Sequence, residues 1–276
     1  MSYNLLKGKK GIIFGALDSK SIAWKIAEKA HDEGALFTLS NIPVALRFGE
    51  IHLLSEQCNA EIIPADATSI SDLENVFKRT MEIFGGKIDF VLHSIGMSMN
   101  VRKGRDYDDL DYAFFMKTID VSALSFHKML QVARKLDAIN EWGSVLALTY
   151  IAAQRTLVGY NDMADAKALL ESIARSFGYI YGREKHIRIN TISQSPTRTT
   201  AGSAIKGMDG LVDFTNRMSP LGNATADECA DFSIVLFSDL SRKVTMQNIY
   251  HDGGFSSMAM SLKAMTQYNK SLDEGL

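Results

Sequence analysis

Residues 11–27 read GIIFGALDSKSIAWKIA. Ile12, Ile13 and Phe14 make a short β-branched and aromatic run, Gly15 ends it, and from Ser21 the apolar residues fall at helical spacing. Strand, tight turn and helix in that order open a βαβ unit. Outward from this stretch the alternation recurs. Candidate strands are GIIFG (11–15), ALFTLS (35–40), EIIPA (61–65), IDFVLH (88–93), GSVLALTY (143–150), IRINTIS (187–193) and QNIYHD (247–252). Candidate helices lie near 21–33, 44–57, 70–84, 110–136, 158–182 and 225–238. Strands this short and apolar suit a parallel sheet buried on both faces. The expected class is α/β, a doubly wound parallel sheet of about seven strands with helices on both faces, in one domain over residues 1–276.

Nothing in the chain divides it. It has no repeat, no low-complexity tract and no Pro/Ser linker, and its four prolines are scattered at 43, 64, 196 and 220. Thirty basic residues against 32 acidic ones leave a net charge of -2, no field for wrapping nucleic acid or holding an anionic membrane. Small molecules and other proteins are the expected partners. Cys58 and Cys229 form neither a CxxC pair nor a dense framework, which fits free thiols in a reducing compartment. The six histidines show no HExxH or other close ligand spacing, so no metal is implied. The opening residues MSYNLLKGKKGIIFG are charged early, and their apolar run is too short for a signal sequence or a membrane span. The expected location is cytoplasmic.

The turn after the first strand is a candidate phosphate site. Gly15 lets backbone approach a pyrophosphate, and the helix starting near Ser21 offers unpaired N–H groups to its charge. The full GxGxxG is absent; Ser21 supplies a hydroxyl in place of a glycine, and Ala23 is small enough for close helix packing. Two more strand ends converge there. In PADAT (64–68), Asp66 can accept from an adenine amino group, and in HSIGM (93–97), Ser94, Ile95 and Gly96 pass backbone beside the adenosine ribose. Taken singly, Asp66 reads better as a helix cap and Gly96 as a plain turn. Together they favour one dinucleotide site, as expected of a single-domain Rossmann-like sheet. Ser40 and Asn41 stand where an acid usually meets the ribose, which leaves NADH and NADPH both open, with Arg47 the cation for a 2′-phosphate.

After the sixth strand, residues 194–224 (QSPTRTTAGSAIKGMDGLVDFTNRMSPLGNA) form a long irregular stretch rich in small residues, at the carboxyl edge where ligands bind in such folds. Residues 194–218 are a candidate substrate lid. Upstream, Tyr160 precedes Lys167 by seven positions, close to two helical turns and about 10 Å along an axis, so both can serve one cleft. A tyrosine there can donate to a developing oxyanion, and a nearby ammonium can lower the phenol pKa and grip ribose hydroxyls.

Tyr160-x6-Lys167 with Tyr150 ten residues before Tyr160 resembles the active-site pattern of bacterial enoyl-acyl-carrier-protein reductases of the FabI type, within the short-chain dehydrogenase/reductase superfamily. Collinear matches carry the resemblance along nearly the whole chain: Gly15-x5-Ser21-Ile22-Ala23, Asp66, His93-Ser94-Ile95-Gly96, Thr149-Tyr150, Tyr160-Asn161-x-Met163, Lys167-Ala168, Arg188-x-Asn190 and Asp252-Gly253-Gly254-Phe255. Other short-chain dehydrogenases place the lysine four residues after the tyrosine. The chain departs from the pattern at Ala164, where the family has Gly, and at Ser193-Gln194-Ser195-Pro196, where it has Ser-Ala-Gly-Pro, which puts pocket shape and inhibitor response in question there.

The resemblance implies reduction of the trans-2 double bond of an enoyl thioester in type II fatty acid synthesis, by hydride transfer from NADH (or NADPH). It implies cofactor contacts at Gly15, Ser21, Ile22, Asp66, Ala67, Ser94, Ile95, Gly96, Lys167 and Thr197. Tyr160 is then the enolate's partner, Lys167 holds the nicotinamide ribose, and Tyr150 borders the hydride path or the substrate, or is simply a packed aromatic. Substrate contacts are expected from Met97, Tyr150, Tyr160, Met163 and Ile205, with Met208 and Phe214 as further apolar candidates. Acyl carrier protein is the implied partner, with Arg198, Lys206 and Arg217 as rim cations, and a homotetramer the implied assembly. The competing readings are a carbonyl reductase of the same superfamily and a non-catalytic nucleotide sensor.

Overall fold

The computed structural model describes residues 2–200 and 207–274. Its sheet has six strands, all parallel, in the order β2-β1-β3-β4-β5-β6. They are β1 (Lys10–Phe14), β2 (Leu36–Ser40), β3 (Ile88–His93), β4 (Ile139–Thr149), β5 (Arg188–Gln194) and β6 (Asn248–His251). The seventh expected strand, EIIPA, lies beside β2 but reduces to one bridge, Leu39 with Ile62. It keeps three backbone hydrogen bonds, Leu39 N to Glu61 O, Ile63 N to Leu39 O and Ala65 N to Asn41 O. Pro64 falls between the two donors, at an outward position, and offers no N–H there for further pairing.

Burial follows the sequence pattern. Every residue of β5 is buried, and along β1 Ile12 and Phe14 join the core on one face while Ile13 joins the other. The first face is covered by α4 (Ile70–Phe84), α7 (Ser125–Lys135) and α8 (Asn161–Lys185) through Phe77, Phe126, Leu170 and Phe177. The second is covered by α1 (Ile22–Asp32), α3 (Ile51–Cys58) and α10 (Ala226–Phe237) through Trp24, Ile26, Leu54 and Ile234. The expected helix at 44–57 is two, α2 (Pro43–Phe48) and α3, parted at Gly49, whose backbone is extended. After the short α5 (Met99–Arg102), 110–136 likewise divides into α6 (Tyr112–Ile119), a π-turn at Asp120–Leu124, and α7. Among the described residues no helix is long and apolar enough to cross a membrane.

Arg188 fastens the back of the sheet. It is 1% exposed, and its guanidinium donates to the carbonyls of Leu236 (2.8 Å), Ser241 (3.2 Å), Phe237 (3.4 Å) and Ser238 (3.2 Å) where α10 ends. Its charge thus answers the C-terminal end of a helix rather than a carboxylate. Arg188→Ala should leave these carbonyls unpaired beside a void and cost about 3 kcal/mol or more, lowering the melting temperature by about 10 °C. A melting curve that coincides with wild type would remove this role.

Candidate active site

Between the α1 turn, the ends of β3 and β4, and the start of α8 lies a cleft of about 730 Å³. It opens where the chain order reverses about β1, between β2 and β3, the usual ligand crevice of this architecture. Gly15, Ser21, Ile22, Asp66, Ala67, Ser94, Ile95, Gly96, Met97, Tyr150, Tyr160, Met163, Lys167 and Thr197 all line it. Ile205 and Lys206 lie outside the described residues. Met208, on α9 (Met208–Met218), lines the cleft too, whereas Phe214 on the same helix does not: it is 51% exposed and meets Phe255 edge-on.

The phosphate end is built by backbone. Gly15 has φ +97°, and a Cβ there would come within 2.0 Å of the Ser94 carbonyl oxygen, so glycine joins the ends of β1 and β3 tightly. The Ser21 hydroxyl donates to the Asp18 carbonyl (2.8 Å) and accepts from Leu17 N (3.3 Å) instead of capping α1. The first amides of α1, at Ile22 and Ala23, therefore keep no side-chain cap, as an anion cradle requires. Asp66 is not the cap of α4; Ser69 is, accepting from Asp72 N. Burial pushes the Asp66 carboxyl up, but the amide and hydroxyl of Thr68, at 2.8 and 2.7 Å, outweigh it and hold the pKa below the ordinary aspartate value. One carboxylate oxygen is so engaged; a hydrogen-bond acceptor is left for an adenine amino group. These features fit a dinucleotide. At the end of β2, Asn41 is engaged with Ala16 O (2.9 Å) and Ile42 N (2.8 Å), and Arg47 is exposed and does not line the cleft.

The reaction end holds two phenols and one ammonium. Tyr160 sits at the N-cap of α8, and the next residue, Asn161, has φ +44°, which asparagine tolerates. Counting helical turns from Tyr160 therefore breaks at Asn161. The two side chains reach one cleft because the cap folds Tyr160 against Tyr150, ring centroids 5.1 Å apart. Tyr150 is 8% exposed and its hydroxyl is buried, with no hydrogen-bond partner among the described residues. Burial pushes both phenols above the ordinary tyrosine range, so both stay protonated. This departs from the expectation that Lys167 depresses a phenol: desolvation is the leading cause for both, and no lowering by Lys167 acts on either. Lys167 is 8% exposed and donates to the Leu148 carbonyl (2.9 Å). Burial pulls it down to about 8, partly offset by the charge of Glu171. A Cβ on Gly96 would lie 3.6 Å from the Lys167 Nζ and 3.8 Å from the Met163 Cε, so these three groups bound one space.

Several participants left no sequence signal. Arg102 and Lys117 line the cleft. Ser122, in the π-turn, both accepts from Met97 N (2.9 Å) and donates to Met97 O (3.2 Å), pinning the 93–97 loop. Gln194 and Ser195, the departures from the family pattern, close the base of the irregular segment: the Gln194 amide donates to Ala224 O and Thr225 O at 3.1 Å, and the Ser195 hydroxyl accepts from Ala224 N at 2.9 Å. Of the expected rim cations, Arg198 pairs with Asp209 (3.0 Å) and Arg217 with Asp213 (2.8 Å).

A family model described as Enoyl-(Acyl carrier protein) reductase matches residues 15–256. Enoyl-(acyl-carrier-protein) reductase (NADH) 2 of Rhizobium meliloti (strain 1021) is 35% identical over 261 residues, 93% of this chain and 94% of its own. A crystal structure of a FabI–NADH complex from Alistipes finegoldii superposes with a TM-score of 0.95 at 70% identity, covering 96% of this chain and 94% of that one. A second structure of FabI from that organism gives 0.92 at 66%, covering 99% of each chain. With the Tyr-x6-Lys pair and the dinucleotide cradle meeting in one cleft, and with relatives alike over almost their whole length, the chain belongs to the enoyl-(acyl carrier protein) reductase family.

Proposed function

We propose that the chain reduces the trans-2 double bond of an enoyl thioester carried on acyl carrier protein, with NADH as reductant, in fatty acid elongation. The observation that carries this reading is the single cleft in which the dinucleotide cradle runs into Tyr150, Tyr160 and Lys167. NADH, when bound, supplies the hydride. Gly15, Ile22, Asp66 and the 94–96 backbone would hold its adenosine and pyrophosphate; Thr197 and Lys167 would hold the nicotinamide half. Tyr160, a neutral donor, would hydrogen-bond the thioester oxygen as it gains enolate charge. Tyr150, Met97 and Met163 would exclude water from the conjugated carbons. Arg47, the cation that would favour a 2′-phosphate, stands outside the cleft wall, which supports NADH over NADPH. Loss of nicotinamide absorbance with crotonyl thioester tests the reading; loss only with a β-keto thioester would instead make the chain a carbonyl reductase.

The segment 194–218 acts in this reading as a lid. Met208 and Leu211 face the cleft from it, and Gly207 has φ +79° where α9 begins. Amides of this segment should gain protection from hydrogen exchange when NADH and an acyl mimic or a hydroxy-diphenyl-ether inhibitor bind. Equal, strong protection in the free and ternary states would remove the lid.

A cytoplasmic location is supported by two buried free thiols, Cys58 and Cys229, each pushed by burial up to about 12. A homotetramer is the assembly the family resemblance implies, and exposed Tyr112, Met116 and Tyr179 on α6 and α8 would be candidates for its contacts.

A further inference from the structure

One turn after Lys167 on α8 stands Glu171, 3% exposed. Its Oε1 accepts from the Thr149 hydroxyl (2.9 Å) and its Oε2 from the Gln154 amide (2.8 Å). The Gln154 side-chain oxygen, Oε1, in turn accepts from the Tyr250 hydroxyl at 2.5 Å. Among the described residues Glu171 makes no ion pair, although a buried carboxylate is costly without a cation. It sits within α8 rather than at its N-terminus, so the helix dipole does not stabilise it. Thr149 and Gln154 are neutral donors, and an amide could take their hydrogen bonds as well. The charge itself therefore has another use, and the cation positioned for it is Lys167, four residues earlier on the same face.

We propose that Glu171 is a positioning residue for Lys167, a buried counter-charge that keeps the ammonium protonated and aimed into the cleft. The proposal rests on the reading of that cleft as the reductase site. The two side chains are too far apart to exchange a hydrogen bond, and Lys167 donates to Leu148 O. Their coupling is through space in a poorly solvated wall, where one unit charge is worth more than at the surface. The neighbouring groups do not supply this charge. His93, on β3, is fully buried and held neutral by burial, down to about 3; Tyr150, Tyr160 and Tyr250 remain protonated phenols. Arg155 acts on Tyr250, and Asp252 on Tyr250 and Tyr150, but neither acts on Lys167, on which Glu171 is the acting charge.

Lys167 is charged below its folded pKa and loses its charge as pH rises through about 8. Removing the negative neighbour lowers that midpoint further. Glu171→Gln keeps the shape, and a flip of the Gln154 amide can restore its hydrogen bonds, so the variant is expected to fold. NADH affinity, measured from about pH 6 to about pH 10, should match wild type at the acid end and fall off about one pH unit earlier in Glu171→Gln. Glu171→Asp, which keeps the charge, should retain the wild-type midpoint. An unchanged midpoint in Glu171→Gln, or an equal loss of affinity at every pH, would overturn the proposal. Should Glu171→Gln fail to fold, carboxyl NMR of wild type decides the matter: the Glu171 signal should shift as Lys167 titrates, and a flat signal would overturn the idea. Neither readout needs turnover, so a wild-type protein that binds NADH but leaves crotonyl thioester unreduced would refute the reductase reading alone.

Discussion

Tyr160→Phe will slow single-turnover reduction of crotonyl thioester by about a hundred- to a thousandfold at saturating NADH, and Tyr150→Phe will slow it far less. Both rings border the cleft, and burial keeps both hydroxyls protonated. Their access differs. The Tyr150 hydroxyl is turned into the cleft wall and buried, whereas Tyr160 is half-buried at the cap of α8, where a substrate oxygen can reach it. Replacing Tyr160 by phenylalanine preserves the ring contact and removes one donor aimed at the developing enolate. Losing such a donor in a dry site costs roughly 3–4 kcal/mol. Removing the Tyr150 hydroxyl deletes a buried polar atom that has no partner among the described residues, which costs little and can even stabilise the fold. If Tyr150→Phe is the slower enzyme in rapid-quench measurements, the roles of the two tyrosines are reversed.

Lys167→Ala will weaken NADH binding as well as turnover. A hydrogen bond from a charged group contributes about 1.5–3 kcal/mol, so affinity should fall about ten- to a hundredfold. Lys167→Arg should retain part of the function, because charge and donors survive although the fork is bulkier. The pH dependence has a fixed sign. Since burial lowers the Lys167 pKa to about 8, wild-type kcat/KM should hold steady below that pH and decline above it as the ammonium is lost. Titration calorimetry showing equal NADH affinity in Lys167→Ala would contradict the assignment.

The sheet was legible because short apolar runs such as Ile12 to Phe14 and Phe90 to Leu92 have no alternative to burial. The edge at EIIPA was less so, since one bridge with three hydrogen bonds and a full strand share a sequence pattern. Gly15, Asp66, Gly96, Tyr160 and Lys167 could be found because their chemistry and spacing are local or match a family motif. The reason they converge was not always legible: Asn161 in a left-handed conformation, not an unbroken helix face, turns Tyr160 toward Tyr150. Ser122 was hidden because a π-turn has no sequence period of its own, and Glu171 because its partners Thr149 and Gln154 come from another part of the chain. Gln194 and Ser195 stood out as departures, yet only the fold shows that they stitch together the two ends of segment 194–224.

The most direct test of the proposed activity is to follow the transferred hydride. Wild-type protein with crotonyl thioester and NADH carrying deuterium at the transferable position of nicotinamide C4 should yield butyryl thioester with a single deuterium on the β-carbon, located by NMR, and a solvent-derived hydrogen on the α-carbon. Unchanged crotonyl thioester, together with deuterium appearing on the carbinol carbon when a β-keto thioester is supplied, would contradict enoyl reduction by this chain.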